Sequence, residues 1–171
     1  SLAQIKVIRG GKTGSVWFDD LFDDARYDIA LRNGDRILVE ADQRSFTALG
    51  ATGAQIRVPF ETRTLSALEA IAQVGGLQSN TADPTGVFVL RNETDIIAKQ
   101  VLGRSDLTGT QRLVYVLNLT EPNGLFLARD FLIRDGDTVY VTEAPFVQWT
   151  KTLSAITGTV GTADNLRDLA K

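Results

Sequence analysis

The side chains in this chain that could do chemistry are mainly carboxylates. Asp19, Asp20, Asp23 and Asp24 form an acidic cluster, and Ca²⁺ and Mg²⁺ are bound through oxygen ligands of this kind. The cluster lacks the glycine and the glutamate of a calcium-binding loop. We therefore expect a solvated turn or helix end at this point, with no bound metal.

Composition excludes several further kinds of active site. The 171 residues contain no Cys and no His, which removes cysteine nucleophiles, disulfides, imidazole metal ligands and Ser-His-Asp catalysis. The run Gly11-Lys12-Thr13 resembles the end of a phosphate-binding loop, but Lys6 stands where that loop needs glycine, and a strand-like segment follows it. No pair of carboxylates stands out as the acid and base of a glycosidase. The sequence predicts no catalytic site, no metal and no cofactor.

The charge balance bears on the class of partner. The formal net charge is −3 and the pI is near 5.0, and no basic run is present, so a nucleic-acid partner is not expected. Apolar residues make up 43% of the chain and charged residues 23%, which is typical of a globular protein. No apolar run approaches the ~20 residues of a membrane-spanning helix.

Three blocks of sequence occur twice in the same order, which indicates a duplicated β-rich module. The matching pairs are Ile5–Arg9 with Val87–Arg91, Ser15–Leu21 with Leu113–Leu119, and Leu31–Val39 with Ile133–Val141. The last pair includes the turns Asn33-Gly34-Asp35 and Asp135-Gly136-Asp137. Only the final acid is common to both turns, so we interpret them as a shared turn and not as metal-binding carboxylates.

Two arginines occupy the same place in the two copies. Arg9 and Arg91 each end an apolar strand. They could contact sugar hydroxyls or acids, or pair with a carboxylate across the module, and of the two we favour the structural role.

The coarse pattern predicts three segments, namely a partial first module at 1–44, a complete module at 45–143 and a tail at 144–171. In the second module we expect strands at 46–49, 55–60, 87–91, 113–117 and 138–142. We expect a helix from Thr64, with Ser66 and Glu69 as an alternative capping box, ending at Gly75-Gly76. Residues 92–111 read as a polar excursion, and Asn123-Gly124 reads as a turn.

The first copy has only the later strands of this plan. Its own hairpin and helix would lie before Ser1, and about 44 residues form a marginal core alone. We therefore expect its strands to pack against the second module or a neighbouring chain, unless the missing half of the module has been cut away.

The tail has the pattern of an amphipathic helix. Its apolar residues recur at spacings of three and four, which forms one stripe: Phe146, Trp149, Leu153, Ile156 and Val160. The opposite face is polar and rich in hydroxyl groups, and Pro145 suits a first helical position. This stripe could face lipid or another subunit, or it could pack on the chain's own modules.

Taken together, these segments resemble a known family. The run Thr64–Leu77 followed by the three blocks of the second copy is similar to the soluble-ligand-binding β-grasp module, or SLBB module. Tandem copies followed by Ala144-Pro145 and a tail containing Trp149 resemble the outer-membrane polysaccharide export proteins of Gram-negative bacteria. The resemblance implies an α+β fold of tandem β-grasp-like modules, the first incomplete, followed by a C-terminal amphipathic helix.

The resemblance also implies a function. In that family the modules stack into ring-shaped homo-oligomers in the periplasm, the tail helices cross the outer membrane, and an inner-membrane polysaccharide copolymerase is the partner. This chain would then be the C-terminal part of a non-catalytic conduit for capsular or extracellular polysaccharide. One alternative is a periplasmic sugar-binding or capsule-assembly accessory protein with its tail packed on its own modules. A second is an enzyme that acts on polysaccharide through exposed acids such as Asp19 or Asp24.

Overall fold

The computed structural model describes residues 2–143, and these have the α+β architecture that the sequence predicts. The tail residues that were assigned to the lipid-facing or oligomer-forming stripe lie outside the described range: Phe146, Trp149, Leu153, Ile156 and Val160. The strands are β1 Ala3–Arg9, β2 Lys12–Trp17, β3 Arg36–Ala41, β4 Ser45–Gly50, β5 Ile56–Pro59, β6 Leu65–Ser66, β7 Val87–Glu93, β8 Gln111–Leu117, β9 Leu132–Ile133 and β10 Thr138–Val141. The helices are α1 Asp20–Asp23, a 3₁₀ helix Ala25–Tyr27, α2 Ala67–Gln73, α3 Asp95–Leu102 and α4 Pro122–Asp130.

The described chain forms two compact units. The first contains residues 2–44 and 60–63, and the second contains residues 45–59 and 64–143. The first unit has a three-stranded antiparallel sheet in the order β2-β1-β3. The turn between β1 and β2 is made by Gly10 and Gly11 at φ of 54° and 76°, a left-handed conformation that glycine adopts without steric cost.

The second unit is built on a five-stranded sheet in the order β5-β4-β10-β7-β8. Strand β10 pairs in parallel with β4 and antiparallel with β7, and α2 packs against β10 and α4. On β10 the buried Val139 and Val141 alternate with half-buried residues, which is typical of a sheet with a covered face. On β7 the consecutive residues Val87, Phe88 and Val89 are all buried, and Phe88 packs with Val114 on the other face. The largest fully buried side chains of this unit include Phe46, Leu65, Val87, Phe88, Val89, Leu117, Val139 and Val141.

The order β2-β1-β3 of the first unit repeats the order β8-β7-β10 of the second. Ile5 lies opposite Val39, as Val87 lies opposite Val141, so the first and third blocks of the sequence repeat are confirmed.

The alignment of the middle block is wrong by three residues. Arg9 lies opposite Lys12, and Arg91 lies opposite Leu113. Ser15 therefore occupies the position of Val116 and not that of Leu113. Strand β2 has few apolar residues, so the short run Val16-Trp17-Phe18, which ends one residue beyond the strand, dominates a sequence match whatever the true register.

The helix expected from Thr64 begins three residues later, in the alternative capping-box register. Ser66 is the N-cap: its Oγ accepts from the Glu69 backbone amide at 3.2 Å, and the Glu69 carboxylate accepts from the Ser66 amide at 2.8 Å. The start at Thr64 is wrong because Leu65 and Ser66 are extended and pair with β9.

Two helices replace segments that the sequence assigned to a loop and a turn. Helix α3 lies within the expected polar excursion and buries Ala98 and Val101, which are three residues apart on one helical face. Helix α4 runs through Asn123-Gly124, so the predicted turn is wrong. A Cβ at the buried Gly124 would overlap the carbonyl oxygen of Asn118. This glycine therefore lets helix α4 lie close to the backbone at Asn118, and it does not mark a turn of the chain.

Candidate functional site

Arg9, the last residue of β1, and Arg91, close to the end of β7, make the same set of contacts. In the first module Arg9 Nε donates to Asp35 Oδ1 at 2.8 Å, and Arg9 Nη2 donates to Asp35 Oδ2 at 2.6 Å. The same Nη2 donates to the carbonyl of Ala30 at 2.9 Å, and Asp35 Oδ2 accepts from the Arg32 backbone amide at 2.8 Å. A bidentate pair of this kind fixes the relative orientation of both side chains.

The second module repeats this arrangement bond for bond. Arg91 Nε and Nη2 donate to the two carboxylate oxygens of Asp137 at 2.9 and 2.6 Å. Arg91 Nη2 also donates to the carbonyl of Leu132 at 2.6 Å, and Asp137 Oδ2 accepts from the Arg134 amide at 2.7 Å. We call each arrangement an Arg–Asp clamp, because it ties the end of the first repeated strand to the turn before the third.

The clamps account for the Gly-Asp pair of each repeat. Asp35 and Asp137 accept the arginine, and each follows a glycine at positive φ, 91° at Gly34 and 80° at Gly136. Asp135 is engaged as well, since its Oδ1 accepts from the Ser45 backbone amide at 2.9 Å. The acids of Asp135-Gly-Asp137 therefore organise the backbone, and among the described residues no group of His, Cys, Asp or Glu could hold a metal ion.

The two clamps differ in their surroundings. The Arg9 side chain is 37% exposed, whereas the Arg91 side chain is 6% exposed. The guanidinium of Arg91 lies 5.6 Å from the centre of the Tyr115 ring and 4.9 Å from that of Phe131. Arg91 is thus enclosed by aromatic faces, which attract a cation. A polysaccharide contact by either arginine stays a prediction.

A buried acid extends the second clamp into a network. Glu93 Oε1 accepts from the Tyr115 hydroxyl at 2.9 Å, and the Glu93 carboxylate accepts from Arg134 Nη1 at 3.1 and 3.2 Å. Arg91 Nη1 lies 3.6 Å from the same carboxylate. Sequence reasoning missed this group. Its signal was the alternation of Arg91 and Glu93 on one strand, which directs both side chains to the same face.

The pKa values of these groups follow from their contacts. The hydrogen bond from Arg9, and next the bond from the Arg32 amide, lower the pKa of Asp35 to about 2. Burial opposes the charge on Arg91, but the bond to Asp137 and the charges of Asp137 and Glu93 outweigh it and raise the pKa of Arg91. Burial, and next the hydrogen bond to Glu93, raise the pKa of Tyr115.

The acidic cluster of the first module is engaged by arginines. Asp20 binds Arg63, and Asp19 lies 3.8 Å from the same guanidinium. Asp24 accepts from the Arg26 side chain and backbone amide and thereby caps the 3₁₀ helix. These bonds are those of a structured helix end, as the sequence predicts.

Within residues 2–143 no helix is long and apolar enough to cross a membrane.

Comparison with known proteins gives consistent matches. A model of the SLBB domain matches residues 44–141. The chain is 33% identical over 158 residues to the capsule polysaccharide export protein BexD of Haemophilus influenzae, covering 89% of this chain and 40% of that protein. It is 31% identical over 170 residues to the capsule polysaccharide export outer membrane protein CtrA of Neisseria meningitidis serogroup A, covering 94% and 43%. It is 27% identical over 154 residues to the Vi polysaccharide export protein VexA/TviF of Salmonella typhi, covering 90% and 41%. The chain thus spans less than half the length of these relatives.

Proposed function

Because this chain belongs to the SLBB-domain family of polysaccharide export proteins, we propose that it is part of a conduit that carries capsular or extracellular polysaccharide out of a Gram-negative cell. The observation that supports this most strongly is the extent of the similarity. The match to CtrA covers 94% of the chain, so it includes the first module as well as the SLBB match at 44–141. An isolated shared domain would match only one module, and a fold alone does not identify a function.

The proposed role is passive. The conduit is a ring of identical subunits in the periplasm, and polymer synthesis together with an inner-membrane copolymerase drives the polysaccharide through it. The contacts of the two modules suit such a scaffold. The Arg9–Asp35 and Arg91–Asp137 pairs are internal clamps. The acids at positions 19, 20 and 24 are bound or approached by arginines.

The tail completes the conduit in this proposal. As a helix, its stripe of Phe146, Trp149, Leu153, Ile156 and Val160 would face lipid, and the polar, hydroxyl-rich side would face the aqueous lumen. A helix suits this place because all of its backbone amides bond within the segment, as a membrane requires. Several copies of the tail would then enclose the exit through the outer membrane.

Export itself is tested by deleting the gene in its own bacterium and restoring it on a plasmid. We expect the deletion to abolish surface polysaccharide while polymer still accumulates inside the cell, and the restored gene to reverse this. Unchanged surface polymer in the deletion strain would contradict the export role. Hydrolysis or transfer by the purified protein, lost on replacing Asp19 or Asp24, would instead favour an enzyme.

Passage of the tail through the outer membrane needs a separate measurement. A single Cys placed directly after Lys171 in the complete protein is treated, on intact cells, with a membrane-impermeant thiol reagent. We expect labelling from outside, with a Cys in place of the exposed Glu40 as a control that labels only after the outer membrane is opened. If both positions label only after opening, the tail ends in the periplasm and the accessory-protein function becomes the better one.

A further inference from the structure

The five-stranded sheet of the second unit has apolar side chains on both faces. On β10 the fully buried Val139 and Val141 point to one face, and α2 packs against this strand. Tyr140 lies between them in the strand, so its side chain points to the other face. Cross-strand pairing places four apolar residues in one line across that second face, and we call this line the Tyr140 row: Leu49, Tyr140, Phe88 and Val116.

The Tyr140 row is an apolar cluster with exposed leucines at its margin. Phe88 is buried, and its ring stacks on that of Tyr140 with 6.3 Å between the centroids and packs with Val114. Leu49, on β4, is 40% exposed, and so is Leu90, which lies opposite Val114 on the same face. Apolar side chains grouped in this way on a sheet face are typical of a surface that another segment covers.

The tail leaves the sheet beside this row. Strand β10 ends at Val141, directly after Tyr140, and it lies between β4 and β7. Phe146 follows Val141 by five residues, which span up to about 17 Å when extended. Neighbouring strands are about 4.8 Å apart, and β8 lies two strands from β10. The first aromatic residue of the tail is therefore within reach of the whole row.

The tail needs a cover of this kind before it meets a membrane. Its stripe begins with two aromatic residues, Phe146 and Trp149, which are three residues apart and would share one face of a helix. In the proposed function this stripe ends in lipid, but each subunit first stands alone in water. An exposed stripe of large apolar side chains promotes association with other chains. A sheet face and a stripe that are both apolar, and joined by a short connection, can cover each other.

We propose that Phe146 and Trp149 dock on the Tyr140 row of their own molecule before assembly, and that assembly releases them. The docked state covers Leu49 and Leu90 and leaves the hydroxyl-rich side of the tail in water. The tail of the same molecule is the occupant, because its short connection to β10 holds it at the row at a high effective concentration that a second copy does not have. This inference rests on the proposed function, since release matters only if the tail goes on to enter the membrane.

The docked contact is of a kind that assembly can reverse. The Tyr140 row takes the first two apolar residues of the stripe, and Leu153, Ile156 and Val160 lie further along the tail. Lipid and the neighbouring tails of a ring contact the whole stripe, so they bind the released state better than one sheet face binds the docked one. A difference of this kind in binding free energy shifts the population from the docked to the released state.

The first experiment places the photoreactive residue benzoylphenylalanine at Leu90 of the complete natural protein in its own bacterium. Cells are pulse-labelled and irradiated either at once or after a chase that allows assembly, and fragment-ion mass spectrometry locates the crosslinked residue. We expect newly made protein to crosslink to residues 145–153 at the mass of a single chain, and this product to fall at least about tenfold on assembly. The control places the same photoreactive residue at the exposed Gln73 of α2, which should not crosslink to the tail.

Each other outcome identifies what has failed. No crosslink to the tail at any time would overturn the inference and leave the proposed conduit in place. A crosslink to the tail of another copy, at the mass of two chains, would overturn it as well. A crosslink within one chain that persists unchanged after assembly would overturn the release step and would also contradict passage of the tail through the outer membrane.

A second measurement covers the case of a low crosslinking yield and compares two matched leucines. Leu90 beside the Tyr140 row is 40% exposed, and Leu125 on α4 is 43% exposed. In newly made complete protein, after the outer membrane is opened, trypsin cleavage at Lys151 reports whether the tail is covered, because a docked segment is cleaved only through local opening. We expect Leu90→Asp to speed this cleavage about tenfold and Leu125→Asp to leave it unchanged. No acceleration in either variant, or equal acceleration in both, would overturn the proposal.

Discussion

The guanidinium of Arg91 and the carboxylate of Asp137 form a buried bidentate pair, with bonds of 2.9 and 2.6 Å and side-chain exposures of 6% and 2%. The same pair recurs between Arg9 and Asp35 in the other module, where the Arg9 side chain is 37% exposed and the Asp35 side chain 5%. The environment therefore decides what each clamp contributes to stability. A pair with both partners buried leaves an uncompensated charge when one partner is lost, whereas water reaches and partly screens a pair with one exposed partner.

Replacement of Asp137 by Ala should strongly destabilise the second unit. The change removes the bidentate partner of the buried Arg91 cation and leaves only the Glu93 carboxylate, 3.6 Å away. This should cost about 3–5 kcal/mol in the free energy of unfolding. Urea denaturation measures this loss. The matched control is Asp130→Ala, which removes the exposed partner of Arg129 and should change stability by less than about 0.5 kcal/mol. A loss of under about 1 kcal/mol for Asp137→Ala would contradict the clamp's role.

The carboxyl group of Asp35 should titrate at a pKa of about 2, because Arg9 and the Arg32 amide favour its charged form. The unfolded-state pKa is near 3.9. Since the folded-state pKa is the lower one, the stabilisation is complete above about pH 4 and is lost as pH falls towards 2. Carbon-detected NMR titration of the Asp35 carboxyl gives this pKa directly. In the variant Arg9→Met the pKa should move back towards 3.9, and an unchanged pKa would mean that Arg9 is not its cause.

The hydroxyl of Tyr115 should stabilise the second unit at neutral pH and lose this effect in alkali. Burial and the bond to Glu93 raise its pKa, so its stabilisation is present below the unfolded-state pKa of about 10 and is lost as pH rises above it. Tyr115→Phe removes a donor to the buried Glu93, which should cost about 1–3 kcal/mol at pH 7. Denaturation curves give the difference in free energy of unfolding between the natural protein and the variant. This difference should be smaller at pH 11 than at pH 7, and an equal difference at both pH values would contradict this assignment.

Gly124 should not tolerate even the smallest side chain. A Cβ at this position overlaps the carbonyl oxygen of Asn118, which is backbone and cannot turn aside, so Gly124→Ala should cost about 1–3 kcal/mol. Gly14→Ala is the matched control, because its Cβ would meet no atom within 4 Å. Thermal denaturation of both variants compares them, and equal midpoints would show that helix α4 can shift to make room.

The sequence was informative where periodicity and repetition coincide. It predicts the α+β class, most strands of the second module and the capping-box register at Ser66, because each rests on several residues with one consistent pattern. It does not reveal helix α4, since Asn123-Gly124 is a strong local turn signal and only the packed structure shows that Gly124 is needed for close approach. Helix α3 was missed because just two of its residues, Ala98 and Val101, are buried.

The candidate site was only partly visible in the sequence for a related reason. The repeat singles out Arg9 and Arg91, and the shared acids Asp35 and Asp137, but it cannot say that each arginine reaches its aspartate. Glu93 has no counterpart in the first module, where the two-residue turn at Gly10-Gly11 takes its place. A residue present in only one copy has no repeat to mark it. The alternation of Arg91 and Glu93 places both on one face of the strand, but only the structure shows the bonds of Glu93 to Tyr115 and Arg134.

The apolar stripe of the tail should be required for export and not for folding. In the complete protein, Trp149→Asp with Leu153→Asp places two charges on the proposed lipid-facing side, and each charge costs about 2.5–3.5 kcal/mol at the centre of a membrane helix. We expect surface polysaccharide to be lost while the protein remains folded in the periplasm. The matched control, Gln148→Asp with Ser154→Asp, adds the same charge to the polar side and should preserve export, because that side would face water. Surface staining of intact cells, together with protease resistance of the periplasmic protein, distinguishes the two variants.

Normal export by the variant Trp149→Asp with Leu153→Asp would contradict the membrane role of the tail. Loss of export by both variants would mean that the added net charge, and not the apolar stripe, decides whether polysaccharide is exported.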